Sequence, residues 1–331
     1  VGIERDLSGD DALGYDLAMK NSRCWMWMLL AAASFGGALL GQEQNVPEVQ
    51  RFIEIPAEAV HSKEDATIPI GVIPHENVVF GTGGGRELKL DLYMPAGDGP
   101  HATVLLVHGG GWTGGNKEAF RPFAQQLAAR GFVTATVEYR LATESKFPGA
   151  VEDCKAAARW LRANATTYKI DPARIGAVGG SAGGHLVGMV ATTSEPAQFE
   201  GKGGNADQSS VLRAAVLMGA GVDQATRAQE TPKPIQSQVI FFGGPYAEKK
   251  DVYVAASPIT HVSAKTPPML FIEGEFDTPG LRYIDMRKKL DALSIPNRLV
   301  VVQGGKHGCW GQNPWMIPMV EEITAFLKTH L

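Results

Sequence analysis

The sequence predicts an α/β fold: a mostly parallel central sheet, helices on both faces, and an antiparallel hairpin at the N-terminal edge. Apolar runs of strand length alternate with helical stretches of ten or more residues, the pattern of crossover units that build parallel sheets. Several of those runs are continuously apolar, as strands covered on both faces must be. One pair instead alternates, with Leu88, Leu90 and Leu92 spaced by polar residues after the turn Gly81-Thr82-Gly83-Gly84-Gly85. That is a hairpin signature.

In chain order, 77–80 and 87–93 make the hairpin, and 102–107 is the first buried strand. A helix over 118–129 ends at Gly131, followed by a strand at 132–137 and a helix over 148–163. The run 174–178 is a strand that leads into a helix beyond Ser181. Further strands are expected at 212–218, 268–273 and 297–303, with helices over 281–293 and 317–331. Residues 42–75 are polar and proline-containing, and read as a linker or an arm, which puts the α/β domain at 76–331. The stretches 193–211 and 220–266 are the least regular. They are expected to be insertions after strand ends, where a lid or a substrate-binding segment would lie.

The 331 residues are 44% hydrophobic and 20% charged, an ordinary globular composition with room for a large core. A net charge of −4 and the lack of a long basic run argue against a nucleic-acid partner. Near the start, Met19-Lys20-Asn21-Ser22-Arg23 is basic and the segment 24–41 carries no charge. That order predicts a signal peptide beginning at Met19, with residues 1–41 removed and the protein secreted or periplasmic. An uncleaved membrane anchor is the rival reading. After removal Cys154 and Cys309 remain; two separate buried thiols are expected rather than a bridge.

Val178-Gly179-Gly180-Ser181-Ala182-Gly183-Gly184-His185 contains G-x-S-x-G directly after an apolar strand. A strand that turns sharply into a helix lifts the residue at its tip out of the turn, so Ser181 is a candidate nucleophile. Acyl transfer by serine also needs a base, a group that orients the base, and donors for a developing oxyanion. The run His108-Gly109-Gly110-Gly111-Trp112 follows a strand end, and its glycines leave backbone N–H groups unobstructed. Gly110, Gly111 and Ala182 are the candidate donors. Of the eight histidines, His307 follows a strand across Gly304-Gly305-Lys306, where the base belongs in this chain order. His108 is expected to prop the glycine loop and His185 to pack locally. Asp277 lies just past the strand 269–273 and is the candidate acid. Glu273 is still on the strand, Glu275 is expected in the turn and exposed, and Glu152 and Asp153 are expected to pair with Arg140.

H-G-G-G-W (108–112), E-Y-R-L-A-T-E-S-K-F-P (138–148) and V-G-G-S-A-G-G-H (178–185), followed by Asp277 and His307, resemble the α/β-hydrolase esterases. The chain is similar to the hormone-sensitive-lipase-like group and to the bacterial feruloyl and acetyl-xylan esterases, over about 76–331. L-K-L-D-L-Y-M-P (88–95) and A-S-P-I-T-H-V (256–262) fit the carbohydrate-esterase branch. Two departures stand out. Thr143 occupies a position where the family often has proline, and Asp277-Thr278-Pro279-Gly280-Leu281 replaces a D-x-x-V-P pattern.

The resemblance implies an α/β-hydrolase fold and a serine carboxylic-ester hydrolase acting through an acyl-enzyme on short acyl, acetyl or feruloyl esters of carbohydrates. Trp112 and Trp310, with Trp315 nearby, bracket the loops and are candidate substrate-binding residues, either as a stacking platform or as pocket wall. A general short-chain esterase or lipase and an arylformamidase-like amidase are the alternatives. A silent hydrolase fold used for binding would be expected to lack the serine or the histidine. Without H-E-x-x-H, a P-loop or a cysteine cluster, no metal or cofactor is expected. The expected partner is a small-molecule or oligosaccharide ester, and the expected state a monomer or dimer.

Overall fold

The computed structural model describes residues 51–55, 62–63, 67–278 and 280–331, all within a compact unit spanning Val46–Leu331. The leader and anchor expected within 1–41 lie outside the described residues. Among the described residues, no helix is long and apolar enough to cross a membrane.

Nine strands form one sheet. They are β1 (Arg51–Ile53), β2 (Val72–Gly83), β3 (Arg86–Pro95), β4 (His101–Val107), β5 (Val133–Val137), β6 (Ile170–Gly180), β7 (Ala215–Met218), β8 (Met269–Gly274) and β9 (Asn297–Val302). Their order across the sheet is β1-β9-β8-β7-β6-β4-β5-β3-β2. From β1 to β5 every pairing is parallel; β3 joins β5 antiparallel, and β2 and β3 make the edge hairpin.

Alternate residues of the central strands supply two separate cores. Leu105, Ala177, Leu217 and Phe271 face one layer, where α2 (Gly149–Ala163) and α3 (Ala182–Thr193) pack. Val104, Leu106, Val178, Val216 and Ile272 face the other, against α1 (Arg121–Ala128) and the C-terminal helix Met316–His330. Both faces are dry, which is why the strands read as unbroken apolar runs.

Two expectations need correction. The sheet does not begin at 76. β1 runs parallel to β9, with Phe52 opposite Val301, and Arg51 forms an ion pair with buried Glu322 at 2.6 Å. So part of the supposed linker is a sheet edge, too short to carry a periodicity of its own. The stretch 220–266 is also not irregular. It folds into α4 (Gln224–Glu230), α5 (Gln236–Phe242) and α6 (Tyr246–Ala255), then a 3-10 turn at Pro258–His261. The stretch 193–211 stays without helix or strand after Thr193. Buried charge holds it instead. Lys155 Nζ on α2 donates to Glu200 Oε1 and to Thr193 O, both at 2.8 Å, and Arg159 reaches Glu200 at 2.6 Å.

The hairpin has its own buried anchor. Asp91, fully buried on β3, receives Lys117 Nζ at 2.8 Å and the N–H of Asn77 at 2.8 Å. Asn77 has φ 57° and sits where the β2–β3 register shifts between His75 and Val78. A carboxylate inside the sheet thus fixes a bulge in the edge strand.

Candidate active site

Ser181 stands between β6 and α3 with φ 55° and ψ −121°, a conformation that costs a non-glycine residue about 1–3 kcal/mol. Its surroundings impose it. The Ser181 N–H donates to Met218 O at 2.7 Å, and Ser181 O accepts from the N–H of His185 at 3.1 Å. The glycines of the motif follow from crowding: a Cβ on Gly183 would lie 2.0 Å from Val107 O, and one on Gly180 would lie 2.6 Å from the Trp310 ring. The strained tip is therefore the result of backbone packing against β4.

The loop after β9 brings His307 to that tip. Ser181 Oγ lies 2.9 Å from His307 Nε2, and His307 Nδ1 lies 2.7 Å from Asp277 Oδ2. With the proton on Nδ1, the imidazole donates to the carboxylate and accepts from the hydroxyl. Asp277 follows β8, its N–H donating to Gly274 O at 2.9 Å. Its other oxygen accepts from Arg282 Nη2 at 2.8 Å. Burial pushes the Asp277 carboxyl up, but the His307 hydrogen bond and the Arg282 charge outweigh it and leave it below its ordinary value. Arg282 also lies 3.3 Å from the fully buried Glu273, whose pKa burial raises to about 8 despite that cation. Glu275 is partly buried rather than exposed, and accepts from the Gly304 N–H at 2.8 Å, tying the acid loop to the histidine loop.

The glycine loop leans against the serine. A Cβ on Gly109 would meet Ser181 Cβ at 3.1 Å, and Gly110 has φ 115° with its carbonyl accepting from Thr113 and Gly114. His108 props the loop as expected: it stacks on Tyr139 at 4.3 Å and its Nδ1 donates to Gly109 O. A cavity of about 80 Å³ opens between Gly111, Ser181, Ala182 and His307, walled by Trp112, Ser237 and Arg227. A wider one of about 450 Å³ shares Gly221 and Arg227 with it.

The two candidate tryptophans differ in burial: Trp112 is buried and Trp310 partly exposed. Trp112 is buried, stacks on Phe241 at 4.9 Å, and donates from Nε1 to His185 Nδ1 at 3.2 Å. His185 in turn donates from Nε2 to Ala256 O at 2.7 Å, and burial lowers its pKa to about 4. Trp310 meets His307 edge-on at 5.3 Å and packs over Gly180 and Gly219, behind the histidine. Trp112 lines the small cavity and Trp310, among the described residues, does not. Cys154 and Cys309 are both free and buried. Arg140 holds Asp153 and Glu152 as expected. Among the described residues no cluster of three or more His, Cys, Asp or Glu is arranged to hold a metal ion.

Sequence reasoning missed Arg282, Arg227, Ser237 and Gln238. Arg282 had a signal, since it lies five residues past Asp277 in the same connection. The other three sit on or beside helices of seven residues, too short to show a hydrophobic face.

Fold and site together define an α/β-hydrolase. The BD-FAE family model matches residues 90–279, more than half of the chain, and the chain belongs to that family. The match takes in Ser181 and Asp277 and stops short of His307. The probable carboxylic ester hydrolase LipM of Mycobacterium tuberculosis is 32% identical over 201 residues, 59% of this chain and 46% of that protein. Esterase LipQ of the same organism is 30% identical over 59% of this chain and 47% of its own length. The chain thus spans about half the length of the curated relatives it matches. Among solved structures, a bifunctional GH43-CE protein of Bacteroides eggerthii superposes with TM-score 0.70 at 29% identity, covering 78% of this chain and 38% of that one. The butyrate-bound esterase Est2 of Thermogutta terrifontis superposes at 0.62 with 26% identity, covering 77% of this chain and 91% of that one.

Proposed function

We propose that the protein is a serine carboxylic-ester hydrolase that cleaves short acyl esters, with acetylated carbohydrates as the preferred class. The observation that carries this reading is the unbroken hydrogen-bonded path from Ser181 Oγ through His307 to Asp277. His307 Nε2 takes the Ser181 proton as Oγ attacks the ester carbonyl, and the Asp277 carboxylate stabilises the imidazolium. The N–H groups of Gly110, Gly111 and Ala182 receive the oxyanion, each such donor being worth about 3 kcal/mol in the transition state. His307 then protonates the leaving alcohol, and the same cycle with water releases the acid.

The small cavity supports a short acyl group. At about 80 Å³ it has room for a few water-sized groups, each needing about 10–15 Å³. A feruloyl group would have to enter the wider cavity. Carbohydrate as the alcohol side rests on the family and on the GH43-CE relative. Export, suggested by the order of residues 19–41, would place the protein beside polymer-derived substrates.

The test compares kcat/KM on p-nitrophenyl acetate, butyrate and octanoate with acetate and ferulate release from xylan oligosaccharides. Acetyl esters should be turned over best, and Ser181→Ala should lose about 10⁴-fold or more while remaining folded. Fast ferulate release with slow acetate release would overturn the acyl preference. Activity equal to that of Ser181→Ala on every ester would overturn ester hydrolysis.

A further inference from the structure

Arg227 stands at the junction of the two cavities, and among the described residues it is the one charged side chain lining both. It lies on α4, one turn past Asp223, whose carboxylate accepts from the Thr226 N–H at 2.9 Å and caps the helix. Gly221 makes room for it: a Cβ there would sit 3.2 Å from Arg227 Nη1.

A guanidinium presents five N–H donors, and in proteins it finds carboxylates or phosphates to receive them. Among the described residues, no side-chain hydrogen bond or ion pair engages the Arg227 guanidinium. The acid whose charge acts on it is already engaged, because Asp277 gives one oxygen to His307 and the other to Arg282. Arg282 itself is a like charge that repels Arg227. In the cavity at Ser181 the lining holds no carboxylate; besides Ser181 and His307, Ser237 and Gln238 add hydrogen-bonding side chains. Arg227 is exposed, and the wide cavity it also lines carries Asp223, Glu230 and Asp285, so it is on the Ser181 side alone that its charge meets no carboxylate and could receive an anion.

We propose that Arg227 is a specificity residue that receives a carboxylate carried by the substrate, so that anionic esters are preferred to neutral esters of the same size. The proposal rests on the reading of Ser181 as the nucleophile. The carboxylate could belong to the acyl chain, as in a dicarboxylic hemiester, or to the alcohol, as in an acetylated uronic acid. Either would enter with its charge toward the shared wall of the two cavities.

The test measures selectivity, the ratio of kcat/KM for an anionic ester to that for its neutral counterpart, in one enzyme preparation. The ratio cancels any loss of folded protein. One arm pairs p-nitrophenyl hemisuccinate with p-nitrophenyl butyrate, and the other pairs 4-acetoxybenzoate with phenyl acetate. In the wild type the anionic member should be favoured in one arm, which then identifies the source of the carboxylate. Arg227→Gln should cut that ratio about 10- to 100-fold, the worth of a hydrogen bond to a charged group. Arg227→Lys should recover part of it, and the preference should weaken with added salt. A ratio that changes by less than about 3-fold in both arms, with neutral esters still turned over, would overturn the carboxylate proposal alone. No turnover of any ester above Ser181→Ala would overturn the underlying hydrolase reading and the proposal with it.

Discussion

The segments 193–211 and 220–262 look alike in composition, yet they are held by opposite means and do different work. The first has no regular structure after Thr193. It is pinned by Glu200, which takes two buried cations from α2 and the Ser210 hydroxyl. The second is helical and is fastened by aromatic contact, with Phe241 between Trp112 and Phe242 and Tyr253 beyond. Only the second lines the cavity at Ser181, through Arg227, Ile235, Ser237 and Gln238. An insertion bound by ion pairs can be a strut, whereas an insertion bound through the glycine loop is a wall of the site.

That contrast can be broken first at Phe241. Phe241→Ala removes a fully buried ring and should cost about 3–5 kcal/mol, with kcat/KM on short esters falling as well because Trp112 loses its stacking partner. Urea unfolding read beside kinetics on the folded enzyme checks both effects; stability lost with kinetics intact would deny that this segment is a wall. Next is Glu200→Ala, which strands Lys155 and Arg159 in a buried site. About 3 kcal/mol of stability should go, as when one partner of a buried pair is removed, with kcat/KM unchanged. A fall in kcat/KM would show that the strut reaches the site after all.

Acid should separate the two segments by a smaller margin. His185 is neutral and buried, with its pKa lowered from 6.5 to about 4, so the folded state binds fewer protons than the unfolded chain between those values. Its contribution is complete above about pH 6.5 and is lost as pH falls toward 4, up to about 3 kcal/mol in all. Glu200 is also lowered, but from an ordinary value already below that of His185. Burial raises its carboxyl, but Lys155, Ser210 and Arg159 together hold it below the ordinary 4.5. Its contribution persists above 4.5 and is lost only as pH falls further. Between pH 7 and 5, amide hydrogen exchange corrected for intrinsic rates should therefore loosen 236–256 before 198–210. Simultaneous loss of protection would show that one cooperative unit holds both.

The parts of this molecule legible in the sequence are those whose chemistry needs a special backbone. The G-x-S-x-G turn, the glycine run after β4 and the loop carrying His307 each lie just past a strand end, so Ser181, His307 and Asp277 were all named before their contacts were known. Residues whose role depends on what packs opposite them were not legible. Arg227 and Ser237 reach the cavity only because α4 and α5 fold back over the glycine loop, and helices of seven residues carry too few turns to announce a buried face. Trp112 and Trp310 were visible, but nothing in the sequence showed that Phe241 would stack on Trp112 or that Trp310 would lie against Gly180 and Gly219. β1 failed for a simpler reason: a strand of three residues has no period.

That short strand also covers part of a sheet edge. β9 would otherwise end the parallel sheet with a bare row of N–H and C=O groups beside Val300, Val301 and Val302. Such a row is a template on which another chain can add a strand. β1 occupies it, and the Arg51 charge draws the arm down onto Glu322. A chain trimmed to begin at 76 would keep the loops bearing Ser181, Asp277 and His307 yet leave Val300, Val301 and Val302 of β9 without a strand beside them.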